Sequence, residues 1–285
     1  MNWMKHKTIY FLISSIFIIP GLFSLFRYGL KLSLEFTGGS QITILVSSQD
    51  KESLLKTFAD KKPEIISESQ DSITLKTTES TEEEVISLIA TTATTSSQIK
   101  LESFESIGPI LGQETIKKTF NALVLSSLLL LFYISNAFKQ FKYGVSAILA
   151  MLHDTIILLG SFSLLGRFYG IEVDLLFVTA ILTILSFSVH DTIVVYDRIR
   201  ELSHKQKGVD FVSLVNQAVS ETMVRSLNNS LTIIFMLIAM FLMGGESTKY
   251  FSLALLIGTV TGTYSSTFTA APLLVVWHQL FEKNK

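Results

Sequence analysis

The 285-residue chain has no cysteine, which excludes disulfides, thiol nucleophiles and cysteine-ligated metals. Any part lying outside a membrane must therefore fold by packing alone. Charge is scarce too: 16% of residues are charged against 48% apolar, and the mean hydropathy is +0.47, which is hard to reconcile with a soluble globule of this size. The composition is that of an integral membrane protein. The net charge of −1 says little about partners, because in such a protein the placement of basic residues carries the information.

Runs of about 17–25 apolar residues are long enough to cross a bilayer as helices. Six are expected, at Thr8–Phe26, Phe120–Phe138, Tyr143–Leu165, Asp174–Tyr196, Leu227–Met243 and Tyr250–Trp277. The first follows Lys5 and Lys7 but exceeds a typical signal-peptide core and lacks a clear A-x-A site, so it is read as a retained span. Basic residues gather at the N-terminus, at Lys139 and Lys142, and at Arg198, Arg200, Lys205, Lys207 and Arg225. In the opposite connections Arg167 and Lys249 stand against Glu172, Asp174 and Glu246. The positive-inside rule then places both termini in the cytoplasm.

One connection, Gly29 to Lys118, is about 90 residues of soluble composition on the outer face, enough for a small domain. Strands are expected at Gln41–Ser47, Ile65–Ser69, Ser72–Lys76 and Leu101–Phe104, and helices at Lys51–Asp60 and Thr81–Ala93, with a helix end and loop over Thr91–Ser97. That β-α-β-β-α-β order suggests a ferredoxin-like α+β domain. The expected organisation is the N-terminus and first span over 1–28, the outer domain over 29–118, spans two to four over 119–200, a cytoplasmic connection over 201–224, and the last two spans with the C-terminus over 225–285.

His-Asp-Thr-Ile occurs twice inside apolar runs, at His153–Ile156 and His190–Ile193. A carboxylate in hydrocarbon costs about 2.5–3.5 kcal/mol on insertion scales, so Asp154 and Asp191 are expected to face protein or water and to serve an ion or substrate pathway. The plainer alternative is that each only bonds a neighbouring helix. His190 could share a proton with Asp191, although adjacent helical residues point about 100° apart. Neither His-Asp pair has metal-ligand spacing, so no metal is expected, and no other cofactor.

Arg225, Asn228, Asn229 and Thr232 recur at spacings of three and four, a polar stripe on an apolar helix that offers Asp191 a counter-charge. Glu221, four residues before Arg225, could instead hold it in a surface ion pair. Ala254, Gly258, Gly262, Ser266 and Ala270 follow at intervals of four, a small-residue face for close helix packing. Gly38 and Gly39 stand just after the first span, where glycine permits backbone angles that other residues resist.

Three of these motifs resemble the SecD/SecF family. Leu34-Glu35-Phe36-Thr37-Gly38-Gly39 is similar to the Asp-Phe-Thr-Gly-Gly motif of its SecF branch. The run from His190 to Glu201 resembles that branch's fourth-span signature, and Arg225-Ser226-Leu227-Asn228-Asn229-Ser230-Leu231-Thr232 its fifth-span one. Glu35 stands where Asp is usual, Leu34 where a smaller or branched residue is common, and His190 where Asn is usual. The small outer domain favours the SecF branch over SecD, whose outer domain is much larger.

The resemblance implies an accessory subunit of the Sec translocase in the bacterial inner membrane, not an enzyme, using proton-motive force to help preproteins cross and leave on the outer side. Asp191 matches the proton-carrying aspartate and Arg225 its associated arginine, with Asp154 and His190 in the same polar interior and Glu35, Phe36, Gly38 and Gly39 at the junction with the outer domain. The implied partners are a SecD-like subunit, the SecYEG channel, YajC, preproteins and membrane lipid, with no nucleic acid. Met1 and the short basic lead favour a free-standing subunit over half of a fused chain. Two other readings stay open: a passive scaffold within the translocon, and half of a proton-driven exporter of small molecules or lipids.

Overall fold

A computed structural model of the chain describes residues 2–48, 50–92 and 99–281, with only the backbone at Glu246 and Ser247. After a 3-10 turn at Trp3–His6 the elements run α1 (Lys7–Tyr28), α2 (Leu34–Thr37), β1 (Gly39–Leu45), α3 (Lys51–Thr57), β2 (Glu64–Glu68), β3 (Ser72–Thr77), α4 (Glu82–Thr92), β4 (Lys100–Ile107) and α5 (Pro109–Phe138). Four more helices follow: α6 (Phe141–Tyr169), α7 (Leu175–Lys205), α8 (Phe211–Met243) and α9 (Glu246–Ser265). A π-helical segment, Ser266–Ala270, then leads into α10 (Ala271–Phe281). The chain divides into two compact units, Leu32–Asn121 and Met1–Lys31 with Ala122–Lys285.

The smaller unit holds one antiparallel sheet in the order β2-β3-β1-β4. Alternation builds its core: Ile42, Ile44 and Val46 from β1 and Ile73 and Leu75 from β3 point to one face. Leu54 and Phe58 around α3, and Val85 and Ile89 on α4, are spaced by four and cover that face. Burying each such side chain contributes about 1.5–3 kcal/mol. The expected strands and helices all occur with ends displaced by a few residues, while residues 93–98, expected as helix end and loop, lie outside the described residues.

Two glycines close this unit. Gly38 and Gly39 have φ of 68° and 114°, a region other residues resist. A Cβ on Gly38 would lie 2.6 Å from Pro109 Cα, and one on Gly39 would lie 2.5 Å from the Thr77 carbonyl oxygen. The motif thus seats β1 against β3 and the start of α5. Phe36 is buried beside it, and Glu35 accepts a hydrogen bond from Ser33, a local contact.

Among the described residues, five helices are long and apolar enough to cross a membrane: Trp3–Tyr28, Pro109–Phe138, Phe141–Tyr169, Leu175–Lys205 and Phe211–Met243. The sixth expected run, Tyr250–Trp277, falls within α9, the π segment and α10. Three helices overrun the hydropathy limits. α5 begins eleven residues before Phe120, at Pro109, which suits a first helical turn because its missing N–H would have no partner there. The expected connection over 201–224 is mostly helix: α7 continues to Lys205, and Asp210 caps α8 by accepting from Ser213 N. Solvated helical turns carry no apolar run, so hydropathy ends where the helix does not.

Small residues set the closest helix crossings. A Cβ on Gly160 of α6 would lie 2.5 Å from Gly21 Cα of α1, so these backbones touch; Ser24 and Ser163 hydroxyls bond beside them at 2.7 Å. Gly258 of α9 lies against Ile184 of α7, where a Cβ would fall 2.1 Å from the isoleucine Cδ1, and Gly262 lies against Ser188. The small-residue face of α9 therefore meets α7.

Candidate functional site

Two buried carboxylates organise the interior of the helical unit. Asp154, on α6, is fully inaccessible. Its Oδ2 accepts hydrogen bonds from Ser188 Oγ of α7 and Ser265 Oγ of α9, each at 2.6 Å. Its Oδ1 lies 2.9 Å from His153 Nδ1, and His153 Nε2 lies 2.8 Å from Ser14 Oγ of α1. The carboxylate thus joins α6, α7 and α9, and His153 extends the network to α1. A buried carboxyl is costly unless hydrogen-bonded, and these contacts satisfy it.

Asp191, on α7, is 3% exposed and has a separate arrangement. Ser226 Oγ of α8 donates to its Oδ2 at 2.7 Å. Thr222, Ser226 and Ser230 recur every four residues on the buried face of α8, and Thr263 of α9 donates to Ser230 at 2.6 Å. A cavity of about 320 Å³ lies beside them, lined by Ser226, Ser230, Leu231, Thr263, Tyr264 and Thr267 among others.

The expected counter-charge is placed differently. Arg225, Asn228, Asn229 and Thr232 are all exposed, on a face of α8 turned away from Asp191. No hydrogen bond or ion pair joins Arg225 to Asp191 among the described residues. The reason is helical phase: adjacent positions differ by about 100°, so Ser226 points inward and Arg225 does not. Arg225 instead lines a cleft of about 710 Å³ with Val194, Asp197, Arg198, Glu201, Glu221 and Thr222. Glu221 pairs there with Arg198, which also pairs with Glu201.

The two histidines of the repeated tetrapeptide part company. His153 is 6% exposed and hydrogen-bonded at both ring nitrogens, whereas His190 is exposed. His190 therefore does not share the buried face of Asp191. Ser266 is buried and bonds the Thr263 carbonyl at the entry to the π segment, completing the small-residue face with Gly258 and Gly262. Sequence reasoning passed over Ser14, Ser188, Ser226 and Ser265. The hydroxyl spacing of Thr222, Ser226 and Ser230 was visible, but the stripe one position away had the same period and more conspicuous polarity.

Comparison with known proteins agrees with this architecture. Residues 84–280 match the profile described as protein export membrane protein SecD/SecF, C-terminal, and residues 23–50 match the SecD/SecF GG motif. The chain belongs to the SecD/SecF family. It is 41% identical to protein translocase subunit SecF of Thermobaculum terrenum, with 96% of this chain and 93% of that one covered. For the protein of the same name from Anaerolinea thermophila the identity is 35%, over 97% and 94% of the two chains. The crystal structure of SecDF, a translocon-associated membrane protein from Thermus thermophilus, superposes with a TM-score of 0.82 at 28% identity. The match covers 98% of this chain, and the chain spans 39% of the SecDF chain. SecDF in a super-membrane-facing form gives a TM-score of 0.73 at 27% identity. In this SecD/SecF protein the GG motif is Gly38-Gly39, whose packing is described above.

Proposed function

We propose that the chain is a proton-coupled accessory subunit of the Sec translocase, with Asp191 as the proton carrier, and that it works alongside a SecD-like subunit. The observation that carries this reading is the contrast between two faces of α8: Ser226 holds buried Asp191, while Arg225, Asn228, Asn229 and Thr232 face outward from a membrane-spanning helix. Polar side chains that face hydrocarbon from a membrane-spanning helix, as Asn228 and Asn229 would, are costly. A second polar surface covering the stripe relieves that cost, and we assign that surface to the SecD-like partner; the chain spans 39% of the SecDF chain it resembles.

In this reading Glu246–Phe281 forms the sixth span, and 32–121 is an outer domain of ferredoxin-like type, supported by the β-α-β-β-α-β order and the β2-β3-β1-β4 sheet. Both termini are cytoplasmic in the bacterial inner membrane, and the cleft around Arg225 and Arg198 opens on that side. Protonation and release at Asp191 alter the hold of Ser226 on it, and the helices transmit the change to the outer domain, which captures and releases the preprotein. SecYEG and YajC are the surrounding partners.

The decisive experiment places the Asp191→Asn variant, assembled with its SecD-like partner and the translocon, in vesicles with and without a proton gradient. Gradient-stimulated preprotein release is expected to vanish while assembly persists. Normal gradient-dependent release by that variant overturns the reading and leaves a passive scaffold.

A further inference from the structure

The π-helical segment Ser266–Ala270 is held at its two ends by different helices. Just before it, Ser265 donates to Asp154 of α6 at 2.6 Å. At its end, Tyr196 Oη of α7 donates to the Ala270 carbonyl at 3.2 Å, and Tyr196 lies five residues beyond Asp191. The residue between the two hydroxyl grips of α9, Tyr264, donates to the Tyr10 carbonyl of α1 and stacks on His153 at 6.2 Å. Thr263, Tyr264 and Ser265 thus touch α8, α1 and α6 in three consecutive positions.

The segment is not fully satisfied as it stands. Thr269 Oγ1 is buried with no hydrogen-bond partner among the described residues. In α-helical register a threonine hydroxyl reaches the carbonyl four residues back, as Thr261 and Thr263 do to Ile257 and Thr259. A π segment holds a surplus residue that can be given back to the α register, and such segments concentrate at functional sites. Returning it offers Thr269 the bond it lacks.

We propose that Ser266–Ala270 is a register switch set by Asp154 through Ser265, with Ser265 as a positioning residue; this deepens the proton-coupled reading above and rests on it. In the state seen, Asp154 Oδ2 accepts from Ser188 and Ser265, and Oδ1 lies 2.9 Å from His153 Nδ1. A proton taken from water gives its carboxyl an O–H that must donate, so when it resides on Oδ2 one of the two serine donors turns or lets go. Release by Ser265 frees the start of the π segment, the surplus residue returns to α register, and α10 rotates by about 100° and advances by about 1.5 Å. The proton's return to water restores the grip. The titratable groups around Asp154 are His153 on its own helix and, beyond that ring, Tyr264 of α9; α1 presents Ser14 and the Tyr10 carbonyl, and α7 presents Ser188.

The cysteine-free chain allows a direct test. Val260 and Leu280, exposed on either side of the segment, are replaced by cysteine and spin-labelled in the full chain with its SecD-like partner in lipid vesicles. Pulsed EPR is expected to show a second distance population longer by roughly 1.5 Å, the axial advance, because the 100° turn moves the label mainly across the line joining the two sites. That population grows as pH falls, and in Asp154→Asn, which keeps His153, it is raised and independent of pH. Ser265→Ala raises it without adding to Asp154→Asn, Ser265→Thr preserves the native distribution, and Thr269→Val depletes the second population. A single unchanged distribution in folded Ser265→Ala, additive effects of the two variants, or an unaltered pH response in Asp154→Asn overturns the proposal. The distances are read without a proton gradient or preprotein, so this outcome is separate from that of Asp191→Asn.

Discussion

Ser226 of α8 donates a 2.7 Å hydrogen bond to Asp191 of α7, and its neighbour Arg225 faces the other way. A neutral hydroxyl, not a cation, is therefore the group that touches the buried carboxylate. The arginine is left to a cleft and to whatever surface covers the outer side of α8. This division of labour between adjacent residues yields the first two expectations.

Replacing Ser226 by Ala removes the hydrogen bond from a charged acceptor, a contact worth about 1.5–3 kcal/mol. Gradient-dependent release should fall by roughly ten- to a hundredfold while the helical unit stays folded. Ser226→Thr, which retains the hydroxyl, should recover most of it. Release assays on the two variants side by side check this.

The outward stripe should lie against the SecD-like partner. Single cysteines at Asn228 or Asn229 are expected to cross-link to that partner in membranes, whereas one at Ser230, which is 1% exposed and faces α9, should not. Equal labelling at all three positions by a lipid-phase reagent, with no cross-link to the partner, would count against the interface.

Close backbone contact predicts sharp size limits. Gly160→Ala pushes a methyl to 2.5 Å from Gly21 Cα, and overpacking of this kind costs about 1–3 kcal/mol. Gly170→Ala meets nothing within 4 Å and carries only the strain of a φ of 71°, about 1–2 kcal/mol. Thermal unfolding in detergent micelles should separate the two further when leucine replaces alanine, since only position 160 is limited by space.

Gly39→Ala should damage the smaller unit by both routes at once, a φ of 114° and a contact of 2.5 Å with the Thr77 carbonyl. Protease protection of that unit in the intact chain is expected to drop, and protection equal to wild type would show that the glycine pair is dispensable for its fold.

The Lys61–Glu84 pair, at 2.9 Å, gives a pH expectation outside the membrane helices. Hydrogen bonding and charge from Lys61 hold the Glu84 carboxyl below its ordinary range. A folded-state value below the unfolded one contributes stability that is present above the unfolded value and is lost as pH falls through the folded one. The pair is solvent-screened, so the effect is small. Unfolding of the unit followed by near-UV dichroism should show an acid-side dependence that Glu84→Gln reduces.

Much of this was legible in the sequence. Hydropathy marks helices whose surroundings are uniform, so the apolar runs appear as α1 and α5 to α8, and period-two alternation in Gln41–Ser47 marks β1 because one face of that strand is buried. The intramembrane aspartates were identifiable because a carboxylate in hydrocarbon demands a partner. Periodicity could not say which partner: Arg225 and Ser226 belong to adjacent stripes that both recur at helical spacing, and phase relative to α7 is a property of packing. The helical turns before Phe120 and Leu227 were invisible for a related reason, since solvated turns are held by backbone hydrogen bonds and caps rather than by apolar residues.

Local sequence alone determined that the chain enters a membrane, where its sheet strands lie and which two carboxylates are buried, because each of these follows from transfer free energies or side-chain periods along one segment. Only tertiary structure decided that Asp154 gathers Ser188, Ser265 and His153, that Asp191 takes Ser226, and that identical His-Asp tetrapeptides hold one histidine inside and one outside. Those choices depend on the rotation of each helix against its neighbours, which close contacts such as Gly160 on Gly21 and Gly258 on Ile184 impose and which no single segment encodes.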